Sequence, residues 1–495
     1  MRQLFAYLSI LNMCGFSEKT SENAKKGNGK NMNNIFSTIA AVSTPRGKGG
    51  IAVIRISGFD AVNVAAAFFK PKSGADLAFC KARTAVFGAI LDSDEIVIDE
   101  GICTVFRAPA SFTGEDVAEI ACHGGLAVTE EVYLSALAHG ATAAGPGEFT
   151  RRAFMNGKMS LTESEAVGML IDADTKDRMK LSGGAVRGNV SKKINEISDM
   201  LLGTMTALYA AIDYPEEDVG DEGEREIAGT LMKAHREVSH LLDSYKTGRA
   251  INEGIRTVIC GQPNVGKSSL FNRMTGEESA IVTSVAGTTR DILRETVSFG
   301  GITLRVSDTA GIHGSEDIVE KIGIDRAEKE IGEAELIIAV FDSSRSLSDE
   351  DRRLIELVKG AECAKIAVLN KADLGVSFVE SELDEIRGCA DSLVEVSAKE
   401  DSGINDLAAV VAALYGSDKL NPSSDAVIWD VRQREMLTRS RNALEMAIEG
   451  IEFGAPIDAV CTYSEEALAA LNETDGRCID ETIVDEIFRR FCVGK

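Results

Sequence analysis

The spacing of apolar residues changes twice along the chain, and these changes divide it into regions. Up to about residue 152, short apolar runs bounded by turn residues are typical of strands, and two longer segments have helical spacing. The predicted strands are residues 50–58, 85–90, 101–106 and 117–121, and the predicted helices are residues 61–69 and 126–137. Strands mixed with helices indicate a compact α/β or α+β domain.

Beyond this region apolar residues recur every three or four positions, which predicts helices. One long amphipathic helix is expected from Ile194 to Ile212, followed by a solvated acidic turn at residues 214–218. Residues 162–165 (Thr-Glu-Ser-Glu) have the spacing of a capping box at a helix start. Further helices are predicted at residues 224–246, 429–449, 464–471 and 480–490.

Between the two helical stretches the pattern returns to short buried runs, each followed by polar residues. These runs predict strands at residues 255–260, 302–307, 365–369 and 393–396. The simplest arrangement is an α/β domain inserted into one helical domain whose two halves pack together. The predicted boundaries are an extension at 1–33, a first domain at 34–152, helical halves at 153–250 and 417–495, and the inserted domain at 251–416.

Composition narrows the functional classes. The chain has 78 acidic and 53 basic residues and a formal charge of -25, which argues against a dedicated nucleic-acid coat or a membrane-surface protein. No run approaches the ~18 apolar residues that span a bilayer. The 10 cysteines are scattered without a C-x-x-C pair, which favours a reducing, cytoplasmic compartment. Residues 4–14 resemble a signal-peptide core but lack a cleavage site, so we expect an extension, with Met32 as a plausible true start.

The segment from Gly261 to Ser268 fits the phosphate-binding P-loop pattern G-x-x-x-x-G-K-[ST]. Glycines let backbone N–H groups turn toward phosphates, Lys267 can reach the β- and γ-phosphates, and the Ser268 hydroxyl can bind Mg²⁺. The predicted strand before this segment and the predicted helix after it (Ser269 to Met274) are the context that a real nucleotide site requires.

Four further segments point to guanine. Asp308-Thr309-Ala310-Gly311 follows one predicted strand, and Asn370-Lys371-Ala372-Asp373 follows another. The Asp373 carboxylate can accept hydrogen bonds from both N1–H and the 2-amino group of guanine. Adenine offers neither donor, so such a site can discriminate against adenine by a factor of ~10⁴ or more. Ser397-Ala398-Lys399 would back the base, and the switch segment Gly287-Thr288-Thr289-Arg290-Asp291 would complete the Mg²⁺ shell. All five motifs in order predict a GTPase.

The residue that orients the attacking water stays open at this level. Ile312 stands where Ras-type switches carry a glutamine, and an isoleucine cannot polarise water. The acidic candidates nearby are Glu316, Asp317 and Glu320, and a lone histidine in a loop, His313, is more often merely exposed. No arginine finger is identifiable, although Arg290 and Arg294 are close in sequence.

Several blocks resemble the tRNA-modification GTPase family MnmE, also called TrmE, over residues 34–495. They include Arg55-Ile56-Ser57-Gly58, the block from Phe112 to Val117 with His123-Gly124-Gly125, and the block from Pro146 to Phe154. The chain ends in Phe491-Cys492-Val493-Gly494-Lys495, similar to the family's terminal Cys-[Ile/Leu/Val]-Gly-Lys. Residues 1–33 have no family counterpart.

The resemblance implies a multidomain α/β fold: an N-terminal α/β folate-binding and dimerisation domain, and an all-α helical domain interrupted by an inserted Ras-like P-loop GTPase domain. It implies a tetrahydrofolate derivative (5-formyl- or methylene-tetrahydrofolate) bound by Arg55, Glu119, Lys158 and Lys495. A pterin needs paired hydrogen bonds to a carboxylate, which Glu119 could accept, and its glutamate tail needs cations.

The resemblance also implies paired G domains with K⁺ in place of an arginine finger. By motif match, K⁺ would be held by Asn264, Thr283, Val285 and Thr288, Mg²⁺ by Ser268 and Thr289, and water would be oriented by Glu320. The expected GTP contacts are Asn264, Val265, Gly266, Lys267, Ser268, Ser269, Thr283, Ser284, Val285, Ala286, Gly287, Thr288, Thr289, Asp308, Thr309, Ala310, Gly311, Asn370, Lys371, Asp373, Ser397, Ala398 and Lys399.

The family's task, by the same resemblance, is to add an aminomethyl or carboxymethylaminomethyl group at C5 of the wobble uridine of certain tRNAs. The expected partners are a second copy of the chain, the FAD-dependent protein MnmG in a heterotetramer, and tRNA, with no membrane. Folate would supply the one-carbon unit and glycine or ammonium the amine. Cys492 is the candidate nucleophile, against the alternative of a packed structural thiol.

Two other functions remain as alternatives. A ribosome-assembly or translational GTPase would require a basic RNA-binding module, and the regions around the nucleotide domain are acidic. A folate-dependent one-carbon transferase regulated by GTP would act without the flavoprotein. A purely structural scaffold would leave five G motifs unused.

Overall fold

The computed structural model describes residues 37–213, 220–276, 294–307, 330–477 and 481–494. It forms two compact units, one drawn from Met1–Glu165 and Asp475–Lys495 and the other from Ala166–Thr474. Among these described residues, no helix is both long and apolar enough to cross a membrane. The predicted extension at 1–33 and the predicted acidic turn at 214–218 lie outside the described residues.

The first unit is built on a seven-stranded sheet in the order β3-β4-β5-β6-β2-β1-β7. Its strands are β1 Ile39–Val42, β2 Ile51–Ser57, β3 Phe69–Pro71, β4 Ala85–Leu91, β5 Val97–Phe106, β6 Val117–His123 and β7 Thr142–Ala143. Neighbours are antiparallel except β1 and β7, which are parallel. The unit's helices are α1 Ala61–Phe68, α2 Leu126–Ala138, α3 Glu148–Met155 and, near the C-terminus, α14 Glu481–Arg489.

Alternation along β2 gives this sheet two different faces. Ala52, Ile54 and Ile56 are buried in a core with helices α1 and α2. Since side chains alternate along a strand, Arg55 points to the opposite face. There it lies directly across from Glu119 of β6 in the antiparallel register. One face of the sheet therefore packs against α1 and α2, and the other carries this charged pair together with a small apolar cluster that includes Ile39, Ala41 and Phe149 of α3.

The C-terminal segment completes the first unit. Val493 forms a bridge with Pro146, the Gly147 N–H donates to the Cys492 carbonyl at 3.2 Å, and the Ser43 hydroxyl donates to the Gly494 carbonyl at 3.1 Å. The approach at Gly494 is close, because a Cβ there would lie 2.3 Å from the Val42 carbonyl oxygen. Residues 492–494 are thus held beside β1 and the start of α3.

The second unit contains a six-stranded sheet in the order β13-β12-β11-β8-β10-β9. Its strands are β8 Ile255–Cys260, β9 Arg294–Phe299, β10 Ile302–Ser307, β11 Leu336–Asp342, β12 Ala364–Asn370 and β13 Ser392–Glu395. All neighbours are parallel except the β9–β10 pair. The associated helices are α8 Lys267–Thr275, α9 Asp349–Lys359, α10 Glu380–Arg387 and α11 Ile404–Tyr415.

The remaining helices of the second unit form a bundle. They are α5 Lys176–Val186, α6 Asn189–Asp213, α7 Gly220–Asn252, α12 Val431–Glu452 and α13 Ile457–Thr474, and α4 Leu161–Ile171 begins in the first unit. Helix α12 packs against α13 and α7, and α6 packs against α13 and α7. Segments from both sides of the inserted α/β region therefore share one apolar core, whose members include Leu201, Leu241 and Leu444.

These features confirm the predicted fold class of an α/β sheet region inserted into an all-α region, with a separate N-terminal α/β unit. One local expectation is wrong. The capping box uses Ser160 and Glu163 in place of the Thr162–Glu165 segment: the Glu163 N–H donates to the Ser160 hydroxyl at 3.1 Å, and the Ser160 N–H donates to Glu163 Oε2 at 2.8 Å. Helix α4 accordingly begins at Leu161, and Thr162 lies inside it.

We expect substitution of Gly147 to release the C-terminal segment. Gly147 has φ 63°, and a Cβ would lie 2.8 Å from the Phe488 carbonyl oxygen, whereas Gly157 has φ 67° and nothing within 4 Å. Both Gly147→Ala and Gly157→Ala incur the same left-handed strain of roughly 1–2 kcal/mol. Only Gly147→Ala adds an overlap with neighbouring atoms. If this overlap destabilises the packed C-terminal segment by ~1.4 kcal/mol, amide exchange of residues 487–494 becomes about tenfold faster, which deuterium-exchange mass spectrometry measures. Equal exchange in the two variants would contradict this packing.

Candidate functional site

The P-loop connects the end of β8 to the start of α8. Neighbouring strands leave no room for a side chain at two of its positions, which are therefore glycines. A Cβ at Gly261 would lie 2.4 Å from the Val340 carbonyl oxygen of β11. Gly266 has φ 96°, and a Cβ there would lie 2.2 Å from Asn370 Nδ2. Asn264 also has a positive φ, of 63°. The loop therefore has no room for side chains at the two glycines, and its positive φ angles at Asn264 and Gly266 suit a backbone cradle for a phosphate chain.

Lys267 is placed across this loop. Its ammonium donates to the carbonyl oxygens of Gly261 at 2.8 Å and of Gln262 at 2.9 Å. Burial lowers the pKa of Lys267, because the charged form loses hydration. Two carbonyl dipoles are a weaker partner for a half-buried ammonium than a phosphate would be. The lysine is thus positioned for an anionic ligand.

Asn370 links the P-loop to the two segments predicted to contact the base. Its Nδ2 donates to the Val265 carbonyl at 2.7 Å, and its Oδ1 accepts from the Ala398 N–H at 3.1 Å. The side chain is 2% exposed, so each of these hydrogen bonds is costly to break. One amide group therefore fixes the distance between the phosphate-binding and base-binding loops.

The Asp373 carboxylate, which is predicted to contact the base, is also held in place. The Ser397 hydroxyl, which is buried, donates to Asp373 Oδ1 at 2.6 Å. Asp373 itself is exposed, so its carboxylate is accessible to a base. Lys399 and Ala398 follow in the same loop, and their carbonyl oxygens accept from the Arg273 guanidinium of α8. These contacts bring together the predicted residues of three motifs.

Lys371 has a partner that sequence reasoning missed. It has φ 64°, and its ammonium donates to Asp342 Oδ2 at 2.6 Å. Asp342 is the last residue of β11, a fully buried strand that was absent from the sequence prediction. The signal was present, since residues 336–341 are a continuous apolar run, but no recognised motif follows it.

Ser268 and Ser269 lie in the first turn of α8. The remaining predicted nucleotide and metal residues lie outside the described residues. They are Thr283, Ser284, Val285, Ala286, Gly287, Thr288, Thr289, Asp308, Thr309, Ala310 and Gly311, together with the candidate water-orienting Glu320 and the alternatives Glu316, Asp317 and His313.

Within the described part of the chain, no cluster of three or more His, Cys, Asp or Glu side chains could hold a metal ion. The predicted metal-binding residues found there, Ser268 at the start of α8 and Asn264 on the loop, offer neutral oxygen atoms. Neutral oxygens suit hard cations such as Mg²⁺ and K⁺, with phosphate oxygens supplying the charge. The donor chemistry therefore fits cations that bind together with a nucleotide.

In the first unit, Arg55 and Glu119 form an ion pair on the face of the sheet opposite α1 and α2. Both Nε and Nη2 of Arg55 lie 2.8 Å from Glu119 Oε1. The side chains are 18% and 29% exposed, respectively. The guanidinium carbon also lies 5.3 Å from the ring centre of Phe112 and 5.5 Å from that of Phe149. The carboxylate thus already binds a planar group of donors flanked by two aromatic rings.

Lys158 and Cys492 are joined to this region through its loops. Lys158 donates to the Pro109 carbonyl at 2.8 Å, and its Cγ lies 3.2 Å from where a Cβ on Gly114 would be. Cys492 is exposed, and its backbone contacts Gly147, two residues before Phe149. Lys495 lies outside the described residues.

A buried network supports the loop that carries Phe112, and sequence reasoning missed it. Arg152 is buried, and its Nη1 lies 3.1 Å from Glu115 while its Nη2 lies 2.9 Å from Glu148. The Ser57 hydroxyl donates to Glu115 Oε2 at 2.7 Å. The i,i+4 spacing of Glu148 and Arg152 was visible in the sequence, but the partner Glu115 was not.

Two protein-family models match the chain. The model described as GTP-binding protein TrmE N-terminus matches residues 38–158, and the model described as MnmE helical domain matches residues 161–492. A tRNA modification GTPase MnmE of Lactobacillus gasseri is 39% identical over 461 residues, which cover 93% of this chain and 98% of the relative. The protein of the same name from Heliobacterium modesticaldum is 40% identical over 468 residues, covering 93% and 100%.

Among solved structures, the G domain of the FeoB iron transporter of T. maritima is 27% identical and covers 33% of this chain and 98% of that chain, with a TM-score of 0.25. Era of Aquifex aeolicus is 22% identical and covers 39% and 67%, also with a TM-score of 0.25. At TM-scores this low, neither likeness adds to the fold described above.

Proposed function

The chain belongs to the MnmE family of tRNA modification GTPases, and on that premise we propose that it hydrolyses GTP in the course of modifying tRNA. The single observation that supports this most strongly is the Asn370 side chain, which links a phosphate-binding loop to a base-binding loop. With Asp373 held by Ser397, this arrangement suits a guanine nucleotide bound in one orientation.

In the proposed GTPase step, Lys267 exchanges its carbonyl partners for the β- and γ-phosphates and stabilises the charge that develops there. Ser268 and Thr289 hold Mg²⁺, and Glu320 orients the attacking water. K⁺ would supply the positive charge that an arginine finger provides in other GTPases, and it would be held by Asn264, Thr283, Val285 and Thr288. The G domains of two copies would pair to close this site.

GTP turnover is expected to be at least tenfold faster in KCl than in NaCl at equal ionic strength, because a finger-type charge contributes about 10³ to 10⁵ in rate. Asn264→Gly keeps the positive φ of 63° without strain and removes the side-chain oxygen. That variant should bind GDP normally yet lose most of the K⁺ stimulation. Equal wild-type rates in the two salts would refute the K⁺ part of the proposal.

The face that carries Arg55 and Glu119 is proposed to bind a tetrahydrofolate derivative. Arg55 presents two N–H donors to Glu119, which resembles the pair of N–H groups on the pyrimidine edge of a pterin. Phe112, which is exposed, supplies aromatic surface beside that position, and the fully buried ring of Phe149 packs near the Arg55 guanidinium. A pterin can reach the Glu119 carboxylate only after Arg55 has released that carboxylate. The Arg55 guanidinium is then available to the anionic part of the ligand. Lys158 and Lys495 are the other proposed cations.

Glu119→Gln should weaken 5-formyl-tetrahydrofolate binding about 10- to 100-fold, since a hydrogen bond to a charged group contributes roughly 1.5–3 kcal/mol. Isothermal titration calorimetry measures the change. Glu100→Gln is the matched control, because Glu100 forms an exposed ion pair with Lys72 in the same sheet. An unchanged affinity for Glu119→Gln, in a protein that does bind folate, would remove Glu119 from the site.

The proposed modification is the addition of an aminomethyl or carboxymethylaminomethyl group to C5 of the wobble uridine of certain tRNAs. The chain would act as a homodimer in a heterotetramer with the FAD-dependent MnmG, in the cytoplasm. Folate provides the one-carbon unit, FAD the redox chemistry, and glycine or ammonium the amine. The exposed Cys492, whose backbone carbonyl accepts a hydrogen bond from the Gly147 N–H, is the proposed nucleophile.

Nucleoside mass spectrometry of tRNA from cells lacking this protein is expected to show loss of C5-modified wobble uridine. Expression of a chain that starts at Met32 should restore the modification. Cys492→Ser should fail to restore it, while Cys80→Ser, a partly exposed thiol of the same unit, should succeed. Unchanged modification in the deletion strain would overturn the assignment, and full rescue by Cys492→Ser would exclude a chemical role for the thiol.

A further inference from the structure

Asp342 lies outside every recognised nucleotide motif, yet its carboxylate is held by three hydrogen bonds. Oδ2 accepts from Lys371 at 2.6 Å, and Oδ1 accepts from the Ser344 N–H at 3.1 Å and from the Ser344 hydroxyl at 2.6 Å. The carboxyl group is buried and aligned by the strand register, which places Asp342 directly beside Asn370. This is an oriented acceptor, unlike an exposed surface ion pair.

Lys371 has a backbone conformation that a lysine rarely adopts. Its φ of 64° costs a non-glycine residue roughly 1–2 kcal/mol. A glycine would take this conformation without strain, so the side chain must have a use that offsets the cost. Lys371 stands between Asn370, which links the loops, and Asp373, which is proposed to read the base. The ion pair with Asp342 fixes the direction of the lysine side chain at this point.

The turn after β11 and the base-reading segment are joined by further hydrogen bonds. The Ser343 N–H donates to the Asn370 carbonyl at 2.9 Å, and the Ser377 N–H donates to the Ser343 carbonyl at 2.7 Å. The Ser377 hydroxyl donates to the Ser344 carbonyl at 3.1 Å. The turn at Asp342–Ser344 is therefore the support on which the base-reading segment rests.

The protonation state of Asp342 agrees with this role. Burial alone would raise its pKa, but the hydrogen bonds from Lys371 and Ser344 outweigh burial and lower it. Asp342 is therefore ionised at neutral pH, and the pair with Lys371 is a full ion pair.

We infer that Asp342 is a positioning residue for guanine recognition, which holds the Lys371 side chain in its base-binding direction before the nucleotide arrives. This inference rests on the proposed binding of GTP by the same site. A lysine held in one direction loses less rotamer freedom on binding than a free one, so the ion pair increases affinity for the base half of the nucleotide. The phosphate half, bound by the P-loop and Lys267, does not depend on it.

The test measures the dissociation constant of fluorescent mant-GDP for the wild type, Asp342→Asn, Lys371→Met and the double variant, with inorganic pyrophosphate as a competitor. Asp342→Asn should raise the dissociation constant of mant-GDP about three- to tenfold. It should leave the inhibition constant of pyrophosphate unchanged, because pyrophosphate contacts only the P-loop. In the Lys371→Met background, Asp342→Asn should have no further effect.

Glu385→Gln is the matched control, because Glu385 forms an exposed ion pair with Arg352 on the same sheet domain and should change neither constant. Unchanged mant-GDP binding by Asp342→Asn would overturn the inference. An equal loss of pyrophosphate affinity would also overturn it, because that result indicates general destabilisation. A further loss of mant-GDP affinity when Asp342→Asn is added to Lys371→Met would overturn it as well. Failure of the wild type to bind mant-GDP would instead refute the proposed nucleotide site, and this inference with it.

Discussion

The buried side-chain amide of Asn370 is the interaction on which the nucleotide region depends. Its two polar ends differ, one donating to the Val265 carbonyl and the other accepting from the Ala398 N–H, so only an amide in one orientation satisfies both loops. The same group also explains why position 266 is glycine, because a Cβ there would overlap Asn370 Nδ2. One side chain thus couples the backbone geometry of the P-loop to the position of the loop that carries Ala398.

The sequence predicted the parts of this region that lie next to recognisable motifs. Residues 255–260, 302–307 and 365–369 are buried runs followed directly by motif residues, and each is a strand. Strand β11 was missed although it is the most uniformly buried, because Asp342 at its end and the two residues after it, Ser343-Ser344, match no known pattern. These residues support the segment after β12 through hydrogen bonds to residues about 30 positions later in the chain. Such hydrogen bonds become visible only when β11 and β12 are aligned in register. The capping box was misplaced by two residues because Ser160 and Thr162 are both good caps, and packing decides between them.

In the first unit, too, the sequence does not show which distant residues contact each other, and here the contacting residues are further apart in the chain. Arg55 and Glu119 were both identified as candidate site residues, but only by family resemblance, and nothing in their local sequences pairs them. Their ion pair follows from the antiparallel register of β2 and β6, which sets the two residues opposite each other. The aromatic rings of Phe112 and Phe149 approach from a loop and a helix that the pattern of apolar positions does not relate to either strand. The candidate residues were therefore accessible from the sequence, whereas their arrangement in space required the sheet.

The position of Gly494 against β1 has a consequence for the order of events during biosynthesis. The first unit contains residues from both ends of the chain, separated by the whole of Ala166–Thr474. At roughly 5–20 residues per second, a ribosome needs about 15–60 s to translate that interval. The second unit is therefore synthesised completely while the surface formed by Ser43, Pro146 and Gly147 still lacks its C-terminal partner. The exposed thiol at position 492 can reach its place near Gly147 only after residues 166–474 have been translated, so the nascent chain cannot complete the proposed folate-binding face before the second unit has been synthesised.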